Sequence, residues 1–210
     1  MEENNIHSNV ESLSSHKSGR IGIIRYGAGN IFSLTAALDR LNISYGLIDQ
    51  ESDFEQYDRY IIPGVGHAGA AMHKLNYTGL VPHILALQKP TLGICVGMQL
   101  LTAHSEEGNA DLLGLFPIKT KRFQESDNHK VPHTGWNQVH TVNESPLYKN
   151  IPSGSYFYFV HSYFIEYDPK YTLASTNYSL NFSASIAYNN FYGVQSVSYT
   201  HLTLPTILRV

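Results

Sequence analysis

The residues best suited to chemistry in this chain are Gly93-Ile94-Cys95-Val96-Gly97, a thiol with a glycine two positions away on either side. A nucleophile at a sharp strand-to-helix turn sits in a strained backbone conformation, and flanking glycines leave room for close approach on both sides. Amides at the start of the following helix would supply an oxyanion donor, and their positive dipole end would draw the thiol pKa down. Those parts suit covalent attack on a carbonyl carbon. The competing reading of the same residues is a buried small hydrophobe, the usual fate of a free cysteine. Cys95 is the single cysteine, so an internal disulfide framework is excluded.

Pro63-Gly64-Val65-Gly66 is the second candidate. A glycine-rich segment after a strand can turn backbone N–H groups toward developing negative charge, and it can equally be a bare tight turn. Gly27-Ala28-Gly29-Asn30 carries the same ambiguity and lacks the full spacing of a dinucleotide fingerprint. His129, His133 and His140 have a spacing that suggests a metal, but Pro132 and Gly135 break any helix that would align them. No Cys or carboxylate cluster accompanies them, so neither a metal nor another cofactor is expected. His67, His73, His83 and His104 fall on expected helices or turns as solvated side chains.

The elements that must position these residues alternate. An apolar run, IGIIRY, ends at the first glycine turn, and Ile31, Leu34, Leu38 and Leu41 then recur at helical spacing. Residues 44–48 and the run DRYIIPG read as further strands, followed by helices from about Ala68 to Leu75 and from Leu80 to Leu87. TLGI reads as the strand before Cys95, with an amphipathic helix after it through the run VGMQLLTAHSEE. Strands alternating with helices imply right-handed crossovers and a mostly parallel central sheet flanked by helices, an α/β architecture. From about residue 116 the segments PIKTKRF, GWNQVHTV, SYFYFVHSYFIEY, TLASTNY, FSASIAY and NFYGVQ are β-branched and aromatic, cut by Pro, Gly and Asn. They predict an antiparallel extension of the sheet.

Composition narrows the function classes. The 210 residues suit one α/β domain. Seventeen acidic against 14 basic residues give a net charge of -3, which argues against nucleic acid as the main partner. Charged residues are 15% of the chain, below the roughly 25% of an average soluble protein. No apolar stretch approaches the roughly 20 residues of a membrane helix. The polar, Ser/Asn-rich residues 1–20 read as a flexible leader without the features of a secretory or transit peptide, so a cytoplasmic location is expected.

In order along the chain, IIRYGAGN (23–30), IIPGVG (61–66), GICVGMQLL (93–101), SEEG (105–108), VPHTGWNQV (131–139), YFVHSYF (158–164) and YGVQ (192–195) resemble the class I (triad) glutamine amidotransferases. GMQLL, PHTGWN and FVHSY together are most similar to the glutaminase subunits of imidazole glycerol phosphate synthases. The resemblance implies a flavodoxin-like fold over residues 21–195. It also implies that Cys95 attacks the carboxamide of glutamine to give a γ-glutamyl thioester, ammonia and then glutamate. On the same footing the Val96 N–H and Gly64-Val65-Gly66 would hold the oxyanion, and Gln99, Ser162 and Tyr163 would contact the substrate. The implied partner is a cyclase (β/α)8-barrel subunit in a heterodimer, which receives the ammonia, with His133, Trp136 and Asn137 toward it. The GMQ and PHTGWN motifs disfavour a Cys-elbow hydrolase of the protease-like branch of related folds.

Two departures stand out. Arg25 occupies a position where the family usually has Asp, so a cation at the end of the first strand needs a partner or a route to solvent. The family also continues Gly-Val-Gln with Phe-His-Pro-Glu, the base and its orienting carboxylate. Here Val197 stands in place of the His and Tyr199 in place of the Glu. His201 lies too far along, with no acid near it, to substitute. Residues 196–210 read as a tail foreign to the family, joined to a truncated frame as a cloning or sequencing artefact would be. An inactive pseudo-amidotransferase that binds the barrel is therefore the alternative to an active glutaminase.

Overall fold

Backbone pairing in this computed structural model, which describes residues 20–197, sorts the chain into a parallel half and an antiparallel half. In the first half, β1 (Ile21–Ile24), β2 (Tyr45–Ile48), β3 (Arg59–Gly64) and β4 (Thr91–Cys95) run parallel in the order β2-β1-β3-β4. These strands are short and apolar, and β1, β3 and β4 are buried nearly throughout, as a sheet covered on both faces requires. Helix α1 (Ile31–Arg40) starts where the Asn30 side chain accepts a hydrogen bond from the Ser33 amide, and it turns Leu34, Ala37 and Leu38 inward. Helix α2 (Ala68–Tyr77) buries Ala68, Ala71, Met72 and Leu75. His67 caps it, Nδ1 accepting from the Ala70 amide, so this histidine has a defined partner. Helix α3 (Val81–Leu85) is shorter than the periodicity suggests.

The helix after Cys95 differs from the expected one. Helix α4 (Val96–Leu100) has five residues, all buried, and β5 (Thr102–Ser105) begins almost at once. A helix buried all round has no polar face to continue along a surface, and Thr102 is claimed instead by pairing with β7 (Phe116–Arg122). The short strand β6 (Ala110–Asp111) flanks β5.

The second half is β8 (His133–Thr141), β9 (Ser155–His161), β10 (Tyr163–Glu166), β11 (Thr172–Tyr178), β12 (Leu180–Tyr188) and β13 (Phe191–Val194). β13 joins the halves, antiparallel to β12 on one side and parallel to β4 on the other. Beyond β12 the sheet runs through β10, β7, β5 and β6, while β11, β8 and β9 branch from it. The architecture is the α/β one expected, a parallel sheet with an antiparallel extension. Arg25, just past β1, finds its partner in Asp49, just past β2: Nε lies 2.6 Å from Oδ1 and the guanidinium also meets Oδ2. Among the described residues no helix is long and apolar enough to cross a membrane. Residues 1–19 and 198–210, which hold nearly all of the expected leader and tail, including Tyr199 and His201, lie outside the described residues.

Candidate active site

The elbow is built by direct contact of backbones. A Cβ on Gly97 would stand 1.8 Å from the Ile62 carbonyl oxygen, and one on Gly64 would stand 2.4 Å from the Gly97 nitrogen. Only hydrogen fits at either position, so α4 lies flat on β3. That contact forces the chain to turn within one residue, and Cys95 takes φ 55° and ψ -113°, a conformation rare for a residue with a Cβ. Strain of this kind persists only where surrounding packing imposes it.

The turn aims Cys95 at a cavity of about 300 Å3, room for roughly ten waters, that Val65, Gly66, Val96, Gln99, Ser162 and Tyr163 also line. Seven of the sequence-predicted residues therefore come together around one space. Gly64, opposite Cys95 in the β3–β4 register, lines a much smaller crevice that Cys95 also lines, together with Val65, Asn30 and Val197. Val197 is buried and its amide donates to the Tyr158 carbonyl at 3.2 Å. The position that the resemblance assigns to a histidine is thus held by a buried Val197 that lines the same crevice as Cys95.

Sequence reasoning missed Glu107 and Gln195. Glu107 supplies the single carboxylate on the cavity wall among the described residues, and it also accepts from the Ala68 amide at 2.6 Å, at the start of α2. Gln195 is fully buried just past β13. Its Nε2 lies 3.8 Å from Cys95 Sγ, and its Oε1 accepts from Gln99 Nε2 at 3.2 Å. Both residues lie inside the quoted runs SEEG and YGVQ, but nothing in the residue types marks which member of each run faces the thiol. Gln99 Nε2 donates a second bond to the Tyr163 carbonyl at 3.2 Å, and among the described residues the buried Gln99 Oε1 has no partner. A buried acceptor left bare in this way, on a residue that lines the cavity, calls for an explanation.

The expectation of an acidic thiol is corrected. Burial pushes Cys95 up to about 11, and the Glu107 charge adds to the rise, while the Val96 amide and Gln195 only partly offset them. A five-residue helix, with no cation beside the sulfur among the described residues, does not outweigh desolvation. At pH 7 the thiolate fraction is on the order of 10⁻⁴. Alkylation of Cys95 by a small neutral electrophile should therefore rise about tenfold per pH unit from pH 7 to 10, followed by intact mass. A plateau below pH 8 would contradict this.

Of the three histidines with metal-like spacing, His133 is buried against His161, His140 is exposed on β8, and His129 meets Ser126 in a loop. Burial lowers His161 to about 3 and His133 to about 4. Both are neutral when folded and must gain protons only on unfolding as pH falls below the ordinary value near 6.5. Their contribution is complete above pH 6.5 and is lost progressively below it. Urea midpoints should accordingly fall between pH 6.5 and 5, with uptake of about two protons on unfolding. Replacing both histidines by Asn should flatten that slope.

Comparison with known proteins agrees with this geometry. The class-I glutamine amidotransferase family matches residues 23–196. The protein named imidazole glycerol phosphate synthase subunit HisH in Pasteurella multocida is 45% identical over 83% of this chain and 87% of its own length. Its namesake in Idiomarina loihiensis is 43% identical over 82% and 86%. A solved glutamine amidotransferase superposes with a TM-score of 0.66 at 12% identity, covering 85% of this chain and 90% of that one. Another from Thermotoga maritima gives 0.59 at 18%, covering 85% and 75%. At such identities those two speak for the fold alone. On the family match and the HisH relatives, this chain belongs to the class I glutamine amidotransferases, in the group of imidazole glycerol phosphate synthase HisH subunits.

Proposed function

We propose that this chain is a glutaminase subunit: it hydrolyses glutamine to glutamate and ammonia at Cys95 and hands the ammonia to a cyclase (β/α)8-barrel subunit. The product of the pair would be imidazole glycerol phosphate, in histidine biosynthesis, in the cytoplasm. The names of its relatives support the pairing with a partner subunit. The observation that carries the reading is the convergence of a strained Cys95 with Gln99 and Glu107 around one cavity. In this reading the amidotransferase unit spans 21–195. Glu107 and Gln99 Oε1 receive the α-ammonium group of glutamine, with Ser162 and Tyr163 beside it. Sγ forms a bond to the carboxamide carbon as the thiol proton passes to the departing nitrogen, which leaves as ammonia. The negative oxygen of the tetrahedral intermediate turns to the amides of Val96 and the Gly64-Val65-Gly66 segment. Water then cleaves the thioester to glutamate.

A glutamine-analogue diazoketone, added to the full chain with its cyclase partner, tests the reading. Cys95 should gain one adduct by intact mass, free glutamine should protect it, and Cys95→Ser should abolish it. Labelling that glutamine does not suppress would overturn the assignment. The second reading, a subunit that docks on the barrel without turnover, is favoured by the buried Val197 beside the thiol. Glutamate release by the unmodified complex separates the two.

A further inference from the structure

Two buried histidines take no part in that chemistry, yet their hydrogen bonds all run one way. His161 Nδ1 lies 2.7 Å from the Tyr163 carbonyl oxygen, an acceptor only, so Nδ1 carries the proton. In a neutral ring Nε2 is then bare, and at 3.1 Å it must accept from His133 Nδ1. His133 Nε2 is bare in turn and accepts from Asn137 Nδ2 at 3.3 Å. The Asn137 amide is oriented independently of the histidines. Its nitrogen also donates to the Asn177 carbonyl at 2.9 Å, and its oxygen accepts from the Gln138 amide at 2.8 Å. Backbone groups at both ends therefore dictate the same direction of donation. Stacking of His133 on Tyr178 at 4.1 Å, and edge contacts of Phe123 with both rings, leave little freedom to flip.

The chain of bonds ends at the cavity. The Tyr163 carbonyl that His161 holds also receives Gln99 Nε2. With its nitrogen engaged by that carbonyl and by Gln195, the Gln99 carboxamide is held in one orientation, and among the described residues its Oε1 has no partner. We infer that His133 and His161 are positioning residues: two neutral Nδ1–H rings, donating in one direction, fix the Tyr163 carbonyl and through it the Gln99 carboxamide at the cavity. That this orientation serves glutamine rests on the function proposed above. Burial holds both rings neutral, which agrees with the required tautomers.

The test uses the full chain and pairs a spectroscopic with a binding readout. Long-range ¹⁵N–¹H spectra at pH 7 should show both rings as Nδ1–H tautomers. An Nε2–H form of either overturns the inference. In His161→Asn an amide nitrogen takes the place of Nδ1, whereas His161→Gln places its nitrogen near Nε2 and His161→Leu has none. Glutamine affinity by calorimetry should drop roughly tenfold in the Gln and Leu variants and by less than about threefold in the Asn variant. The Gln99 side-chain amide resonance should shift in the first two and stay in the third. Equal effects of Asn and Gln, or none from Leu in a folded protein, would leave the rings as mere core packing. Should the unmodified chain bind no glutamine, the functional reading fails, and the Gln99 resonance alone decides the positioning role.

Discussion

Replacing Ser196, Val197, Ser198 and Tyr199 by Phe, His, Pro and Glu should raise glutamate release by about 10²–10⁴-fold, the usual worth of a positioned acid–base group. Val197 sits against the same crevice as Cys95, so a ring at that position meets the sulfur rather than solvent. An imidazolium there also places a cation beside the sulfur, and it should bring the thiol down from about 11. Two effects would thus arrive together: a route for the thiol proton, and thiolate at neutral pH. The crevice beside Val197 holds only about 10 Å3, so the ring must displace neighbours and the folded state should lose some stability. Steady-state glutamate production with the cyclase present is the measurement. Cys95→Ser in the substituted background should return the rate to zero. Equal rates with and without the four changes would show that the proton leaves by another path.

Gly97→Ala should be the most damaging single methyl in the protein. The new carbon would fall 1.8 Å from the Ile62 carbonyl oxygen, with the Ile62 and Pro63 carbonyl carbons 2.8 and 3.2 Å away. Every neighbour is backbone of β3, and β3 is held between β1 and β4, so no side chain can rotate aside. Either α4 lifts from the sheet or β3 moves. A cost of about 3 kcal/mol or more is expected, at the top of the range for overpacking. Lifting α4 also relaxes the bend at Cys95, so diazoketone labelling should vanish even at temperatures where the variant stays folded. Urea melts and labelling on the same sample check both parts. Unchanged stability would mean that the tight approach is not what holds the elbow.

How far residues alone reveal this molecule varies with the kind of signal. Short apolar runs ended by glycine turns located β1, β3 and β4, because period and punctuation are local properties. The stretch after Cys95 misleads for the same reason: Val96–Leu100 and Thr102–Ser105 share one apolar texture, and only the partner strand β7 decides where helix yields to strand. The thiol pKa is likewise invisible in a pentapeptide, since desolvation comes from neighbours distant in sequence. His133 and His161 lie 28 residues apart and meet only because β8 and β9 pair with those two residues opposite one another. Arg25 shows the reverse case, a departure at one position answered by Asp49 across the adjoining strand ends.

The seam at β13 divides labour within the molecule. The parallel side carries the sulfur and the Gly64-Val65-Gly66 segment, while the segment between β9 and β10 on the antiparallel side carries Ser162 and Tyr163. The nucleophile and the β9–β10 corner therefore ride on separate portions of one sheet, joined through β13 and tied together by the hydrogen bonds of Gln99 to the Tyr163 carbonyl and to Gln195. An engineer seeking a new amide donor could graft a different β9–β10 corner onto an untouched nucleophile.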